Sequence, residues 1–166
     1  MSASETAIVQ FVDAVRDYCA WLEGDRYDDP TERYTALVYL SSMYSAALRL
    51  PDLSDKSLPR TEKRIELDEN LTQKVMDRLG QFPNRFYSRV ESTPDGKTET
   101  FQDDLGRDLY VTYTSVKRGL LDFEAGFRDF ALWSWQFTFW LDWGGHSTNA
   151  MQSLHAQIHD ELNREE

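Results

Sequence analysis

The feature that most constrains the fold is an aromatic run, WSWQFTFWLDW, which extends from Trp133 to Trp143. Large apolar side chains occupy every odd position, and polar side chains occupy four of the five even positions, which is the alternation of a half-buried strand. The surrounding stretch 127–143, however, is seventeen residues long without proline or glycine. That length is unusual for a strand and normal for a helix, so it predicts a helix near the centre of the fold.

Projected onto a helix, the run is apolar on nearly every side. One stripe is predicted to face the core, and it consists of Phe130, Trp133, Phe137, Trp140 and Leu141. Trp135, Phe139 and Trp143 fall partly outside this stripe. A helix of this kind is buried centrally or covered by a partner, so we expect mostly core residues, Trp133 among them, with part of the run available to a partner.

Periodic apolar positions predict further helices on both sides of the aromatic run. The first is capped by Ser2 and Glu5 and ends near Gly24. The second follows a cap at Asp29 and Pro30, and a loop is predicted over 51–66. The third spans about 68–79 with a C-terminal cap at Gly80, and the fourth spans 103–124.

The end of the chain is also predicted to be helical. A glycine pair, Gly144 and Gly145, is expected to bend or end the aromatic helix before a last helix over 147–163. Between the third and fourth helices, FYSRV and KTETF flank a Pro-Asp-Gly turn, which predicts a short hairpin or an extended loop around residues 86–101. The sequence thus predicts an all-α fold, an irregular bundle of five to six helices that forms one domain over 1–166.

The charge of the chain restricts its partners. There are 18 Lys and Arg residues against 29 Asp and Glu residues, a formal net charge of −11. Such a surface repels nucleic acid and anionic membrane, and it is electrostatically compatible with a basic protein or a cation. Self-association into a homo-oligomer is the alternative to a basic protein partner. Cys19 is the only cysteine, so no internal disulfide can form, and with no signal-type N-terminus we expect a cytosolic protein.

The three histidines are the candidate metal ligands, and they lie in the last 21 residues: His146, His155 and His159. His155 and His159 are four residues apart, hence neighbours on a helix face, but a zinc site needs a third ligand. The H-E-x-x-H pattern is absent because Ala156 stands where the glutamate would. The alternative is that these histidines lie on a helix surface or cap a helix.

Acidic residues supply the remaining candidate chemistry. Asp103, Asp104 and His146 are the catalytic candidates. Asp104 and Asp108 share a helix face, and paired carboxylates can hold Mg²⁺ or act as acid and base. The competing interpretation is that acidic residues are favoured at a helix start by the helix dipole, with His146 bonded to Asp104 as a structural lock. The E-x-x-E spacing of Glu66 and Glu69 is typical of helical pyrophosphatases, which need a second acidic pair, and only Glu99 and Asp103 could supply it.

The C-terminal half resembles a family of small bacterial proteins known as domain of unknown function 5063. The resemblance rests on an Asp-Asp-Leu opening, a Gly-Leu pair, a Trp before the aromatic run, a Trp-Gly-x-His segment and a following Ala and Leu-His. The corresponding residues are Asp103, Asp104, Leu105, Gly119, Leu120, Trp133, Trp143, Gly144, His146, Ala150, Leu154 and His155. The stretch LVYLSSMYSAALRLP, ending at Leu50 and Pro51, also resembles the family's N-terminal helix. Asp142 replaces a histidine that is common there, and Gly145 replaces a long polar residue. The resemblance implies an all-helical cytosolic domain and no known activity.

These observations favour a non-enzymatic interaction domain with an acidic, aromatic-bearing surface, and they predict no cofactor. Trp133, Trp143, Gly144, His146 and His155 are the residues expected to contribute to an interaction surface or to a structural lock. The alternative is a metal-dependent hydrolase or small-ligand binder that uses a cluster of Asp103, Asp104, His146 and His155.

Overall fold

The computed structural model describes residues 2–25, 31–52 and 65–163. In these ranges the helices are α1 (Ala3–Glu23), α2 (Glu32–Ala47), α3 (Glu69–Gly80), α4 (Leu105–Glu124), α5 (Arg128–Thr138) and α6 (Gly144–Leu162). A π-helical turn, Phe139–Trp143, joins α5 directly to α6, and strands β1 (Phe86–Ser92) and β2 (Thr98–Asp104) form an antiparallel hairpin. The predicted mostly helical, irregular bundle is confirmed, with the hairpin as its only sheet in the described ranges.

Local capping fixes several helix starts at the predicted places. Ser2 Oγ accepts the Glu5 N–H at 3.2 Å at the start of α1, and Asp68 Oδ1 accepts the Asn70 N–H at 2.8 Å at the start of α3. The predicted cap at Asp29 and Pro30 lies outside the described residues, as does most of the predicted 51–66 loop.

Two predicted boundaries differ from the structure. The predicted C-terminal cap at Gly80 is wrong, because Gly80 is still helical and Gln81 follows as the cap with φ −103°. The fourth helix begins at Leu105 rather than at 103, because Asp103 pairs with Tyr87 in the hairpin and Asp104 is the N-cap of α4.

Helix α4 organises the bundle. It packs against α1, α3, α5 and α6, while α2 packs against α1 and α6. The aromatic part of the core lies where α1 meets the α5–α6 segment: Phe11 contacts the Trp135 ring edge-on with centroids 5.0 Å apart, and it contacts the Trp143 ring at 6.2 Å. No helix in the described ranges is both long and apolar enough to span a bilayer.

The aromatic run is helical, as its length predicts, but the predicted core stripe is wrong. Trp135, Phe139 and Trp143 are buried, whereas Phe137, Trp140 and Leu141 are exposed. Two features explain why the predicted stripe is not the buried one. First, the small residues of α5, Ala131 and Ser134, lie on its buried side. Second, the π turn beyond them inserts an extra residue, so the period of 3.6 no longer predicts which side chains share a face.

The prediction that Gly144 and Gly145 end the helix as a cap is also wrong. The chain continues helically through both residues into α6. A Cβ atom on Gly144 would collide with the carbonyl oxygen of Phe139 and lie 3.0 Å from its ring carbon Cδ2. Gly144 therefore allows the tight backbone of the π turn, while Gly145 has open space around it.

Candidate functional site: an aromatic groove and an aspartate–histidine pair

An apolar groove of about 720 Å³ lies between the end of α2 and the α5–π-turn segment. Its lining residues are mostly large and apolar: Ala47, Leu48, Leu50, Asp52, Trp133, Trp135, Gln136, Phe137, Phe139, Trp140 and Leu141. We call this surface the aromatic groove. Neither Lys nor Arg is among these lining residues, and Asp52 is the only ionisable one. The described lining of the groove is therefore suited to apolar side chains.

The π turn presents the most exposed part of the aromatic groove. Trp140 is 74 % exposed and Leu141 is 70 % exposed, although Phe139 and Trp143 on either side of them are buried. The Trp140 ring contacts the Phe139 ring edge-on at 4.9 Å, and Phe139 in turn packs against Tyr44 of α2 at 4.9 Å. The exposed pair is thus held on helical backbone by buried neighbours, and π turns of this kind are frequent at functional sites.

The outer face of α5 continues this surface. Trp133 is partly buried, Phe137 is exposed, and their rings stack with centroids 4.9 Å apart and planes 13° from parallel. Gln136 Nε2 donates to the carbonyl oxygen of Pro51, which ties α5 to the chain after α2. Because both walls are cross-linked by this bond, the groove is formed without any partner present.

A second candidate site surrounds Asp108 on α4. This buried carboxylate accepts the Tyr87 hydroxyl at 2.5 Å on one oxygen, and its other oxygen lies 2.7 Å from His146 Nδ1. On its far side, His146 Nε2 lies 3.8 Å from Asp142 Oδ1, and Asp142 accepts the Ser115 hydroxyl at 2.8 Å. The hairpin, α4, the π turn and α6 therefore meet in one polar chain.

Both titratable partners of Asp108 are perturbed. The hydrogen bond with Asp108 raises the pKa of His146 above its usual value, and burial only partly opposes this effect. Burial, followed by the bond to Asp108, raises the pKa of Tyr87 well above its usual value, so its hydroxyl stays protonated. An aspartate that orients a histidine is one half of a general-base apparatus. Among the described residues no hydroxyl or thiol bonds to His146 Nε2, so no nucleophile completes it.

The predicted lock between His146 and Asp104 has the wrong aspartate. Asp104 is bonded to Arg85, whose Nε donates at 3.0 Å, and it also caps α4 by accepting the Gly106 N–H at 2.9 Å. Burial favours the neutral acid at Asp104, but Arg85 and the backbone donors more than offset it and lower its pKa. With all these donors, Asp104 is not available to His146, and Asp108, one helical turn further along, takes that role.

The other predicted site residues are separate from this pair. Asp103 is bonded to Arg89 Nε at 2.6 Å, and both His155 and His159 are exposed on α6. The predicted cluster of Asp103, Asp104, His146 and His155 is thus divided among different contacts. No three His, Cys, Asp or Glu side chains in the described ranges are grouped so that they could hold a metal ion.

The acidic pairs are likewise separated by the fold. Glu66 and Glu69 are exposed at the start of α3, and Glu99 lies on strand β2, where the spacing to Asp103 has no helical meaning. Cys19 is buried in the core, where burial raises the pKa of its thiol far above the usual range.

Sequence reasoning missed two contributors to these sites. Leu48, at the end of α2, lines the aromatic groove and is exposed, a position that no periodicity in α2 indicates. Tyr87 bonds to Asp108 from the hairpin, and the only available signal was its place in the FYSRV strand, which puts alternate side chains on the side facing the helices.

The fold and the groove define a mostly helical protein with an apolar groove on its surface. The chain belongs to the family described as Domain of unknown function (DUF5063), which matches residues 2–160. Its fold is similar to the crystal structure of protein BF1032 from Bacteroides fragilis, a structural genomics target, with a TM-score of 0.71, 22 % sequence identity and 90 % of each chain covered. No functionally curated protein shows significant similarity to the chain.

Proposed function

We propose that this protein is a non-enzymatic protein-binding domain that docks its partner in the aromatic groove. The observation that carries the proposal is the exposure of Trp140 and Leu141, at 74 % and 70 %, on a backbone held by buried neighbours. Single exposed apolar side chains are common, but a contiguous apolar groove around an exposed Trp is typical of an interaction site. Tryptophan is also among the residues that contribute most to binding when they are buried by a partner.

The partner that fits this surface presents apolar side chains flanked by Lys or Arg. Its apolar side chains would enter the aromatic groove beside Trp140 and Phe137. Its basic flanks would face an acidic protein of net charge −11, with Asp142 exposed next to Leu141. Charge complementarity of this kind mainly raises the association rate and selects between partners, while the aromatic contacts supply affinity.

The bacterial cytosol is the compartment that suits such a protein. Cys19 is buried in the core, and the chain holds no second cysteine to pair with it, so a reducing environment leaves the protein unchanged.

A peptide pair tests the proposal. Two synthetic amphipathic helices share the same Leu- and Trp-rich face, and one carries lysine flanks while the other carries glutamate flanks. We expect fluorescence anisotropy to show binding of the lysine peptide only, with salt weakening it. Trp140→Ala should reduce the affinity at least about tenfold. Tyr34→Ala, an exposed aromatic at the start of α2, is the matched control and should bind like the unmodified protein.

Three results would contradict the proposal. They are equal binding of the two peptides, equal losses in Trp140→Ala and Tyr34→Ala, and no binding of the lysine peptide at concentrations where the protein stays folded.

The predicted cluster of Asp103, Asp104, His146 and His155 is not assembled, so a metal-dependent hydrolase or small-ligand binder would have to use His146 with Asp108 and Asp142 instead. This alternative has one supporting observation. His146 is an oriented, partly exposed imidazole between two carboxylates. Native mass spectrometry of untagged protein tests it, because a bound metal or small molecule that is lost in His146→Ala would favour this class over a binding domain. A bare chain mass would leave only the protein-binding proposal.

A further inference from the structure

The hairpin leaves one strand edge open. Strands β1 and β2 pair in antiparallel register from Phe86 with Asp104 to Ser92 with Thr98. The Arg85 carbonyl accepts the Leu105 N–H at 2.6 Å at one end, and the Thr93 N–H donates to the Lys97 carbonyl at 2.8 Å at the other. Because bonded pairs alternate along an antiparallel ladder, the odd-numbered residues of β1 bond to β2.

The even-numbered residues of β1 therefore direct their backbone groups away from the hairpin. In the described ranges, no backbone or side-chain partner bonds to the N–H or C=O groups of Phe86, Ser88 or Val90 across this edge. Natural proteins block such edges with Lys, Pro or a bulge, or cover them. Strand β1 contains no Lys and no Pro, its two charged side chains, Arg89 and Glu91, pair with each other, and its ladder with β2 runs without a bulge.

The side chains at this edge are also exposed. Phe86 and Val90 lie on the same face of β1 and are 69 % and 64 % exposed. A groove of about 690 Å³ follows the edge between β1 and α6, which is held nearby by the bond from Gln157 Nε2 to the Asn84 carbonyl at 3.0 Å. In this groove the buried Oε1 of Gln157 has no hydrogen-bond partner. Space for an added strand, open backbone groups and apolar side chains thus coincide.

We propose that the occupant is strand β1 of a second copy of this chain, paired antiparallel about a two-fold axis at Ser88. In this register Phe86 lies opposite the second copy's Val90, and Val90 lies opposite its Phe86. Arg85 lies opposite the second copy's Glu91, so opposite charges face each other. The strand is therefore complementary to itself, as a two-fold interface requires.

The neighbouring symmetric registers are less favourable. A shift of two residues in one direction places Arg85 opposite the second copy's Arg89, and a shift in the other direction places the two Arg89 side chains opposite each other. In both registers Phe86 faces a serine. Like charges directly opposite destabilise a strand pair, and apolar pairs stabilise it, so of these three registers the axis at Ser88 is the one that satisfies both conditions.

This surface is different from the aromatic groove, since none of the residues lining that groove lies on β1. The two proposals can therefore fail independently. Two copies that each carry a net charge of −11 repel one another, so we expect the dimer to be favoured by added salt.

Disulfide trapping tests the register directly. In the proposed pairing, the two Ser88 Cα atoms are about 5.5 Å apart, within the range of a disulfide. Ser88→Cys should form a covalent dimer on mild oxidation, visible on a non-reducing gel. Ser92→Cys is the matched control, because its two copies would be roughly 27 Å apart. The native Cys19 is buried and should not react.

Solution mass gives a second, independent measurement. Light scattering should show unmodified protein shifting from 19.4 kDa towards twice that mass as its concentration and the salt rise. Val90→Lys should remain at the single-chain mass, while Val38→Lys, the same change at an exposed position on α2, should dimerise like the unmodified protein. A single-chain mass at every concentration, or equal cross-linking of Ser88→Cys and Ser92→Cys, would overturn the proposal.

Discussion

Gly119 lies directly against the indole ring of Trp135. A Cβ atom on Gly119 would collide with Trp135 Nε1 and lie 2.7 Å from Cδ1 of the same ring. The indole N–H donates to the Val116 carbonyl at 2.9 Å, one turn earlier on α4. A glycine inside a helix costs about 1 kcal/mol relative to alanine, so its presence in α4 is explained by the close approach of α5. The contact sets the position of the helix that leads into the aromatic groove.

The first prediction compares two glycines. Gly119→Ala should lower the free energy of unfolding by about 1–3 kcal/mol, because the rigid Trp135 ring must move away from α4. Gly145→Ala, where nothing lies within 4 Å of the added Cβ, should instead raise it by up to about 1 kcal/mol through helix propensity. Urea denaturation of both variants measures the difference, and equal effects would contradict the described contact.

The second prediction concerns three tryptophans of one helical segment. Trp135→Ala should lower the free energy of unfolding by about 3–5 kcal/mol, because the ring is 1 % exposed and hydrogen-bonded. Trp140→Ala should change stability by less than about 0.5 kcal/mol. Trp133→Ala should fall between them, since this ring is only partly buried and is not the central core residue that the sequence suggests. Thermal melts followed by circular dichroism test the order, and a larger loss for Trp133 than for Trp135 would refute it.

The third prediction is a pH dependence from His146. Its pKa is raised in the folded protein, so the folded state binds the proton more tightly than the unfolded state does. The resulting stabilisation is fully present below the unfolded pKa of about 6.5 and is lost as the pH rises through the folded pKa. The groups that face the ring are Asp108, Asp142, Tyr87 beyond Asp108, and Arg107.

Denaturation between pH 6 and pH 9 measures this contribution. The free energy of unfolding should fall as the pH rises, by at most about 1.4 kcal/mol per pH unit. His146→Gln should remove that component and leave the background from the other acidic groups. If the unmodified protein and His146→Gln gave parallel curves, His146 would not be the titrating group.

The fourth prediction compares a buried with an exposed ion pair. Arg78 Nη2 donates to Glu32 Oε1 at 2.8 Å with both side chains 5 % exposed, joining α3 to α2. Glu32→Gln should cost about 3–5 kcal/mol because it leaves a buried guanidinium without its counter-ion. Glu124→Gln removes a pair with Arg16 at 3.1 Å in which both side chains are about half exposed, and it should cost less than about 1 kcal/mol. Comparable losses in chemical denaturation would argue against the burial of Arg78.

Local signals in the sequence were enough for much of the fold. The cap at Ser2 and the start of α3 at Asp68 depend on interactions within a few residues, so they can be predicted from the chain itself. The hairpin follows for the same reason, because its turn and alternating strands are adjacent in sequence. The family assignment also follows from motifs that are visible in the chain.

The candidate sites depended on contacts that no local pattern contains. Asp104 and Asp108 lie four residues apart, and the sequence does not distinguish them as partners of His146. The bond from Arg85 to Asp104 decides between them and leaves Asp108 to hold His146. The exposed edge of β1 could not be predicted either, since whether another strand covers an edge is decided by the rest of the fold.

By itself the sequence determined that residues 128–143 are helical, because length and the absence of proline outweigh an alternating pattern. It did not determine which side of that helix is buried. Both sides carry large apolar rings, so burying either one would satisfy hydrophobicity. The tertiary structure decided the matter through close packing: Gly119 admits only the Trp135 side of α5, and the π turn carries Phe139 and Trp143 inward. Trp140 and Leu141 are exposed to solvent as a consequence, and they form part of the surface proposed to bind a partner.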